Sequence, residues 1–154
     1  MRPGSRKLKR FLDVAMVARV ATLSAGGKPR LTPLWFVYRD GRIYLNARAD
    51  SPAARAIVAN PAVVVLFSPD KARTSPAKVL KIKGKASFTA GGQFSAGLLL
   101  RFALKYHLSP GGVRNFFANL DTLSERIRYY RERAGEAGAI EIVVDSVEVI
   151  PAPI

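Results

Sequence analysis

Cysteine is absent from the 154 residues, and histidine and tryptophan occur once each. The first absence excludes disulfides, thiolate metal sites and a cysteine nucleophile. With His107 the sole imidazole and no carboxylate cluster beside it, no metal site is expected. The same scarcity leaves the serines without the partners that a catalytic triad needs. Acids are also sparse, at 11 Asp/Glu against 25 Lys/Arg. Long apolar runs are missing too. The stretch Ala96–Leu104 is broken by Arg101 and falls far short of the roughly 20 residues of a membrane span. Residues 1–10 are basic, but the segment after them is interrupted by Asp13 and Arg19, so no secretory signal is expected. A cytoplasmic protein with no membrane span is the expectation.

What is present suits a globular domain. Apolar residues make up 49% of the chain, and its length fits one domain over 1–154. The net charge of +14 is uneven: residues 1–120 hold 21 Lys/Arg against 4 Asp/Glu, and the remainder 4 against 7. That imbalance predicts attraction to polyanions, namely nucleic acid, anionic lipid or a ligand bearing phosphates and carboxylates; a solvated basic surface is the plain alternative.

Turn signals divide the chain into strands. A basic, mobile arm over 1–10 leads to a helix near Phe11–Met16, followed by strands at 17–24, 30–39, 42–48 and 62–68. Gly26-Gly27 and Asp40-Gly41 connect the first three as hairpins, because glycine accepts the positive φ of primed turns. Ser51 reads as a helix N-cap with Pro52 at the first helical position, and Asn60-Pro61 as the stop. The apolar run Ala62–Phe67 predicts a strand buried on both faces. Lysines 78, 81, 83 and 85 interleave with Val79, Leu80, Ile82 and Ala86 in a fifth strand after a loop at 70–77. Residues 92–134 form a helical insertion, with helices at Gln93–Tyr106 and Asp121–Arg133 around the Ser109-Pro110-Gly111-Gly112 break. A last strand covers 139–144 and continues to 150. About six antiparallel strands with peripheral helices read as α+β, a small barrel plus helices.

Arg19-Val20-Ala21-Thr22-Leu23, Gly27-x-Pro29 and Pro33-Leu34-Trp35-Phe36-Val37 occur in that order, followed by Gly41-x-Ile43-Tyr44, Asn60-Pro61 and Val79-x-x-Ile82-x-Gly84-x-Ala86. This succession resembles the flavin and deazaflavin split-barrel proteins related to pyridoxamine 5′-phosphate oxidase. The resemblance implies an FMN-binding split barrel that forms a homodimer, with FMN or coenzyme F420 in a groove between subunits. It places the cofactor ring against Thr32, Pro33, Leu34, Trp35 and Phe36, and the phosphate arm near Asn46, Ala47, Arg48, Ser51 and Arg55. A helix N-terminus and two guanidiniums suit a phosphate. The chain departs from the pattern where oxidase members carry Ser-Arg-Lys: here the stretch is Ser51-Pro52-Ala53, neutral at both basic positions. Pyridoxamine phosphate oxidase activity itself is therefore not expected. The basic excess suits F420, whose phosphodiester and polyglutamate tail are anionic, and Arg6, Lys7, Lys9 and Arg10 are placed to meet that tail.

Single residues leave alternatives open. Trp35 either stacks on a flavin or anchors a core or dimer interface. Arg19 points outward or pairs, Thr32 reaches a ring edge or is simply a good strand residue, and His107 caps a helix end. Tyr129, Tyr130 and the neighbouring arginines read as an amphipathic helix rather than a specific nucleic-acid surface. Neither Gly91-Gly92 nor Gly111-Gly112 follows a dinucleotide or P-loop arrangement. No acid–base pair or nucleophile stands out, which suits hydride transfer, where a cofactor supplies the reactive atom. The expected function is a flavin-type oxidoreductase acting on a small organic substrate, or a non-catalytic binder of the same fold; catalytic residues are unassigned.

Overall fold

Ser5 opens the first helix by accepting a hydrogen bond from the Leu8 amide at 3.3 Å. This helix, α1, runs Arg6–Val14, starting five residues ahead of the expected Phe11. The reason is packing: Leu8 and Leu12 are one turn apart, and both are fully buried. The protein is represented by a computed structural model that describes residues 2–68, 78–90, 96–108 and 137–151, with single positions at 113, 117, 124, 125 and 128. The loop at 70–77 and the helix at Asp121–Arg133 expected from the sequence lie outside the described residues.

Seven antiparallel strands follow: β1 Ala18–Leu23, β2 Pro29–Leu34, β3 Phe36–Arg39, β4 Arg42–Arg48, β5 Ala62–Phe67, β6 Lys78–Ala90 and β7 Ala137–Pro151. Helix α2 (Pro52–Ala59) lies between β4 and β5, and α3 (Ala96–Tyr106) between β6 and β7. The strand count exceeds the expected six because the second strand is really two, interrupted at Trp35. The β3–β4 turn behaves as its residues predict, with Asp40 at φ 52° and Gly41 at 78°; in the longer β1–β2 connection Gly27 has positive φ, at 76°, and Gly26 does not.

The interruption has a topological reason. The sheet order is β2-β1-β5-β6-β7-β4-β3, so the two end strands are separated in the chain by Trp35 alone. In a flat sheet, spacings of about 4.8 Å would part the ends by roughly 29 Å. One intervening residue reaches about 7 Å. The sheet must therefore curl until its ends meet, and β2 does approach β4. The result is a barrel with a seam, the α+β split barrel expected from the sequence.

Alternate residues fill the barrel. Val20, Phe36, Ile43, Leu45, Val65, Phe67, Leu80, Ile82, Ile140 and Ile142 are all fully buried. Each contributes about 1.5–3 kcal/mol of burial free energy. β5 departs from expectation: Val63, Val65 and Phe67 are buried, but Val64 and Leu66 on the other face are only half-buried and Ala62 is exposed. An apolar strand usually means two covered faces; here α2 packs on β1, β6 and β4 and leaves the outer face of β5 partly open. At Gly84 the β6–β7 register shifts, and a side chain there would overlap the Val143 carbonyl oxygen. The bulge thus requires glycine.

Candidate functional site

The Leu34-Trp35-Phe36 crossing puts neighbouring side chains in opposite settings. Phe36 is fully buried, its ring tilted against Phe67 at 4.6 Å, whereas Trp35 keeps 43% of its surface exposed. One face of the indole is stacked on Tyr106, with centroids 4.6 Å apart and planes within 8°. His107 meets the indole edge-on at 6.3 Å.

Phe36 pairs with Leu45, and its main-chain groups point away from β4 at the end of the sheet. One hydroxyl serves both of them. Tyr106 Oη accepts from the Phe36 amide at 2.8 Å and has the carbonyls of Phe36 and Met16 each at 2.9 Å. Lys105 adds a second tie: its Nζ donates to the Leu12 carbonyl at 2.9 Å and lies 3.5 Å over the Phe36 ring. Helix α3 is thereby fastened to both α1 and the crossing.

Continuing the β3–β4 register past Phe36↔Leu45 brings Trp35 and Leu34 towards Asn46 and Ala47. From there β4 runs to Arg48 and into α2. Ser51 caps α2 by accepting from the Ala54 amide at 3.2 Å, with Pro52 at its start. No acid lies in the first turn, so the positive end of the helix is uncompensated from within. Arg48 forks onto Asp50 through bonds of 2.9 and 2.7 Å. That pairing, with the charge of Arg55 beyond it, holds the Asp50 carboxyl below the usual carboxylate range. The exposed Arg55 forms no ion pair among the described residues.

The residues expected to hold a cofactor are thus distributed unevenly. Thr32 and Leu34 are half-buried and Pro33 is exposed on β2, an edge strand. Trp35 and Asn46 are exposed, Arg48 and Ser51 half-buried, and Arg55 exposed on the first turn of α2. Phe36 and Ala47 instead turn their side chains into the core. Ala53, at one of the two neutral positions, is 1% exposed, so there is no open space where a basic side chain would reach out. Arg19 pairs outward, with Nη1 3.3 Å from Ser68 Oγ.

Three participants escape a sequence reading. Tyr106 and Lys105 belong to the crossing, and Asp50 competes for Arg48. The Arg48-x-Asp50 spacing is the only local signal among them.

For a flavin-type cofactor the fit is partial. An indole open on one face, a capped helix N-terminus and the cation Arg55 suit a planar ring joined to a phosphate. Asp50 lowers the positive charge on offer.

A family model described as Pyridoxamine 5′-phosphate oxidase matches residues 5–106, about two thirds of the chain. No curated protein sequence matches. Among solved structures, a conserved hypothetical protein from Mycobacterium tuberculosis superposes with a TM-score of 0.65 at 18% identity, covering 96% of this chain and 84% of that one. An F420 reductase gives 0.62 at 16% identity, covering 96% and 98%. HutZ, a heme storage protein from Vibrio cholerae, gives 0.61 at 16% identity, covering 98% and 95%. At such identities the likeness is one of fold.

Proposed function

The chain belongs to the pyridoxamine 5′-phosphate oxidase family, and from that premise we propose that it binds a flavin-type cofactor, F420 or FMN, and acts as an oxidoreductase on a small organic substrate. The observation that carries this reading is the arrangement at the barrel seam: a half-exposed indole, Trp35, stands beside the strand that delivers Arg48, Ser51 and Arg55 to the start of α2.

When bound, such a cofactor supplies hydride transfer to or from substrate. The protein's part is binding and orientation. Trp35 and the Thr32 hydroxyl border the ring, while Ser51, Arg55 and the α2 amides hold the phosphate. Arg48 contributes after exchanging one of its bonds to Asp50. Basic residues of the N-terminal segment favour F420, whose anionic tail outnumbers the charges of FMN. A second copy of the chain completes the groove. The exposed Leu31 on edge strand β2 and the half-open outer face of β5 support that dimer. Substrate enters over the free ring face, bounded by α3, and the whole chain acts as one domain in the cytoplasm.

A non-catalytic binder or carrier of the same cofactor is the second reading. Buried Ala53 and the Arg48–Asp50 pair favour it, because both weaken the phosphate grip.

Titrating the purified protein with FMN and F420 while following Trp35 quenching tests the proposal. The expected result is saturable binding of one cofactor, weakened by Arg55→Ala. Turnover of the reduced cofactor with a generic acceptor separates enzyme from carrier. Binding of neither cofactor at low salt, or a monomer in solution, sinks the shared-groove reading.

A further inference from the structure

A cavity of about 480 Å³ opens between α1, the β3–β4 turn and α3. That volume is within the usual range of small-molecule sites, roughly 300–1,000 Å³. Three cations line it, Lys9, Arg39 and Arg101, against one acid, Asp40. Lys9 is paired with Asp13, and Arg39 with Asp40 at 3.0 Å. Arg101 forms no hydrogen bond or ion pair among the described residues.

Tyr38 also lines the cavity. The residue is 6% exposed, and its hydroxyl accepts from the Gly4 amide at 3.0 Å. Among the described residues no group accepts the hydroxyl proton in turn. Its hydroxyl proton is thus available to an acceptor in the cavity. Gly97 of α3 lies beside the Arg39 guanidinium: a Cβ there would come within 3.2 Å of Arg39 Nη1.

We propose that this cavity binds a small polyanion carrying phosphate or carboxylate groups, at a site separate from the seam. The guanidiniums of Arg39 and Arg101 fork onto the anion, Lys9 adds a point charge, and the Tyr38 hydroxyl donates to it. The two sites lie at opposite ends of β4, whose rise of about 3.3 Å per residue separates them by roughly 20 Å.

Calorimetric titration of the full chain at physiological salt, with tripolyphosphate and citrate as separate probes, tests the assignment. Saturation at one anion per chain is expected with at least one probe in Arg55→Gln, where the phosphate site proposed at the start of α2 is weakened, and the tighter probe identifies phosphate or carboxylate as the favoured group. Arg101→Gln and Arg39→Gln should each weaken binding about tenfold or more, the loss of a charged hydrogen bond. Tyr38→Phe should weaken it several-fold, while Lys28→Gln, in the β1–β2 turn and outside the cavity lining, leaves it unchanged. Unsaturable binding by both probes overturns the proposal, as does undiminished affinity in Arg101→Gln. An equal loss in Arg55→Gln also overturns it, by moving the anion to the start of α2. These outcomes are read without any cofactor and do not depend on the redox reading.

Discussion

Removing a single oxygen from Tyr106 should measurably weaken the whole barrel. In Tyr106→Phe the ring stays stacked on Trp35, but the hydroxyl that serves the Phe36 amide and two carbonyls is gone. Phe36 is fully buried at the end of the sheet, where its amide finds no strand partner. An orphaned buried donor costs about 1–3 kcal/mol, and the lost donation to a carbonyl about 1 kcal/mol more. The expected destabilisation is therefore about 2–4 kcal/mol. With a urea dependence of about 1–3 kcal/mol per molar, the midpoint falls by roughly 0.7–4 M. A domain of ordinary stability, about 5–15 kcal/mol, survives this. Urea unfolding followed by the fluorescence of Trp35, the sole tryptophan, is a direct assay. Tyr106→Leu, which also loses the stack, should lose about 0.5–1.5 kcal/mol beyond Tyr106→Phe. A change below about 0.5 kcal/mol in Tyr106→Phe, with unaltered denaturant dependence, would refute the reasoning, because the Phe36 amide would then be indifferent to its partner.

Thr22 offers the opposite sign. It is 3% exposed, and its hydroxyl has no hydrogen-bond partner among the described residues. Thr22→Val keeps the shape and removes the unsatisfied group, so calorimetry should show stabilisation of about 1 kcal/mol. Asp50 should govern an acid-side dependence. Its folded-state pKa is lowered by Arg48, so the pair contributes fully above the unfolded carboxylate value of about 3.9 and fades as pH falls through the lower folded value. Carboxyl carbon NMR should find the Asp50 midpoint moving up in Arg48→Gln; an unmoved midpoint would remove Arg48 as the cause.

Local chemistry was readable wherever one residue type can do the job. Asp40-Gly41 and Gly27 take up positive φ, and Ser51-Pro52 caps and starts α2. Gly84, part of the family-like pattern, marks a bulge that no side chain fits. The break at Trp35 was hidden because Leu34-Trp35-Phe36 is an unbroken apolar run, and what divides it is closure of the sheet. The start of α1 was obscured by its basic residues, since two leucines among them carry its buried face. At the candidate site, the helix start and its cations could be placed from local sequence. Tyr106 could not, because its partner Phe36 is 70 positions away. Asp50 is not legible from a phosphate reading of Arg48, which attends only to cations.

The place of β7 between β6 and β4 bears on how the chain folds. β4 is made early, yet its partner is the last strand, with Arg42 and Glu141 forming an ion pair 99 positions apart. Until residues 137–151 arrive, β4 and β6 each present a bare edge, and such edges recruit strands from other chains. Long-range closure of this kind is intrinsically slow. A nascent or truncated chain ending before β7 would hold every local hairpin and still be an open, sticky ribbon. Strand β7 is what converts that ribbon into a closed barrel.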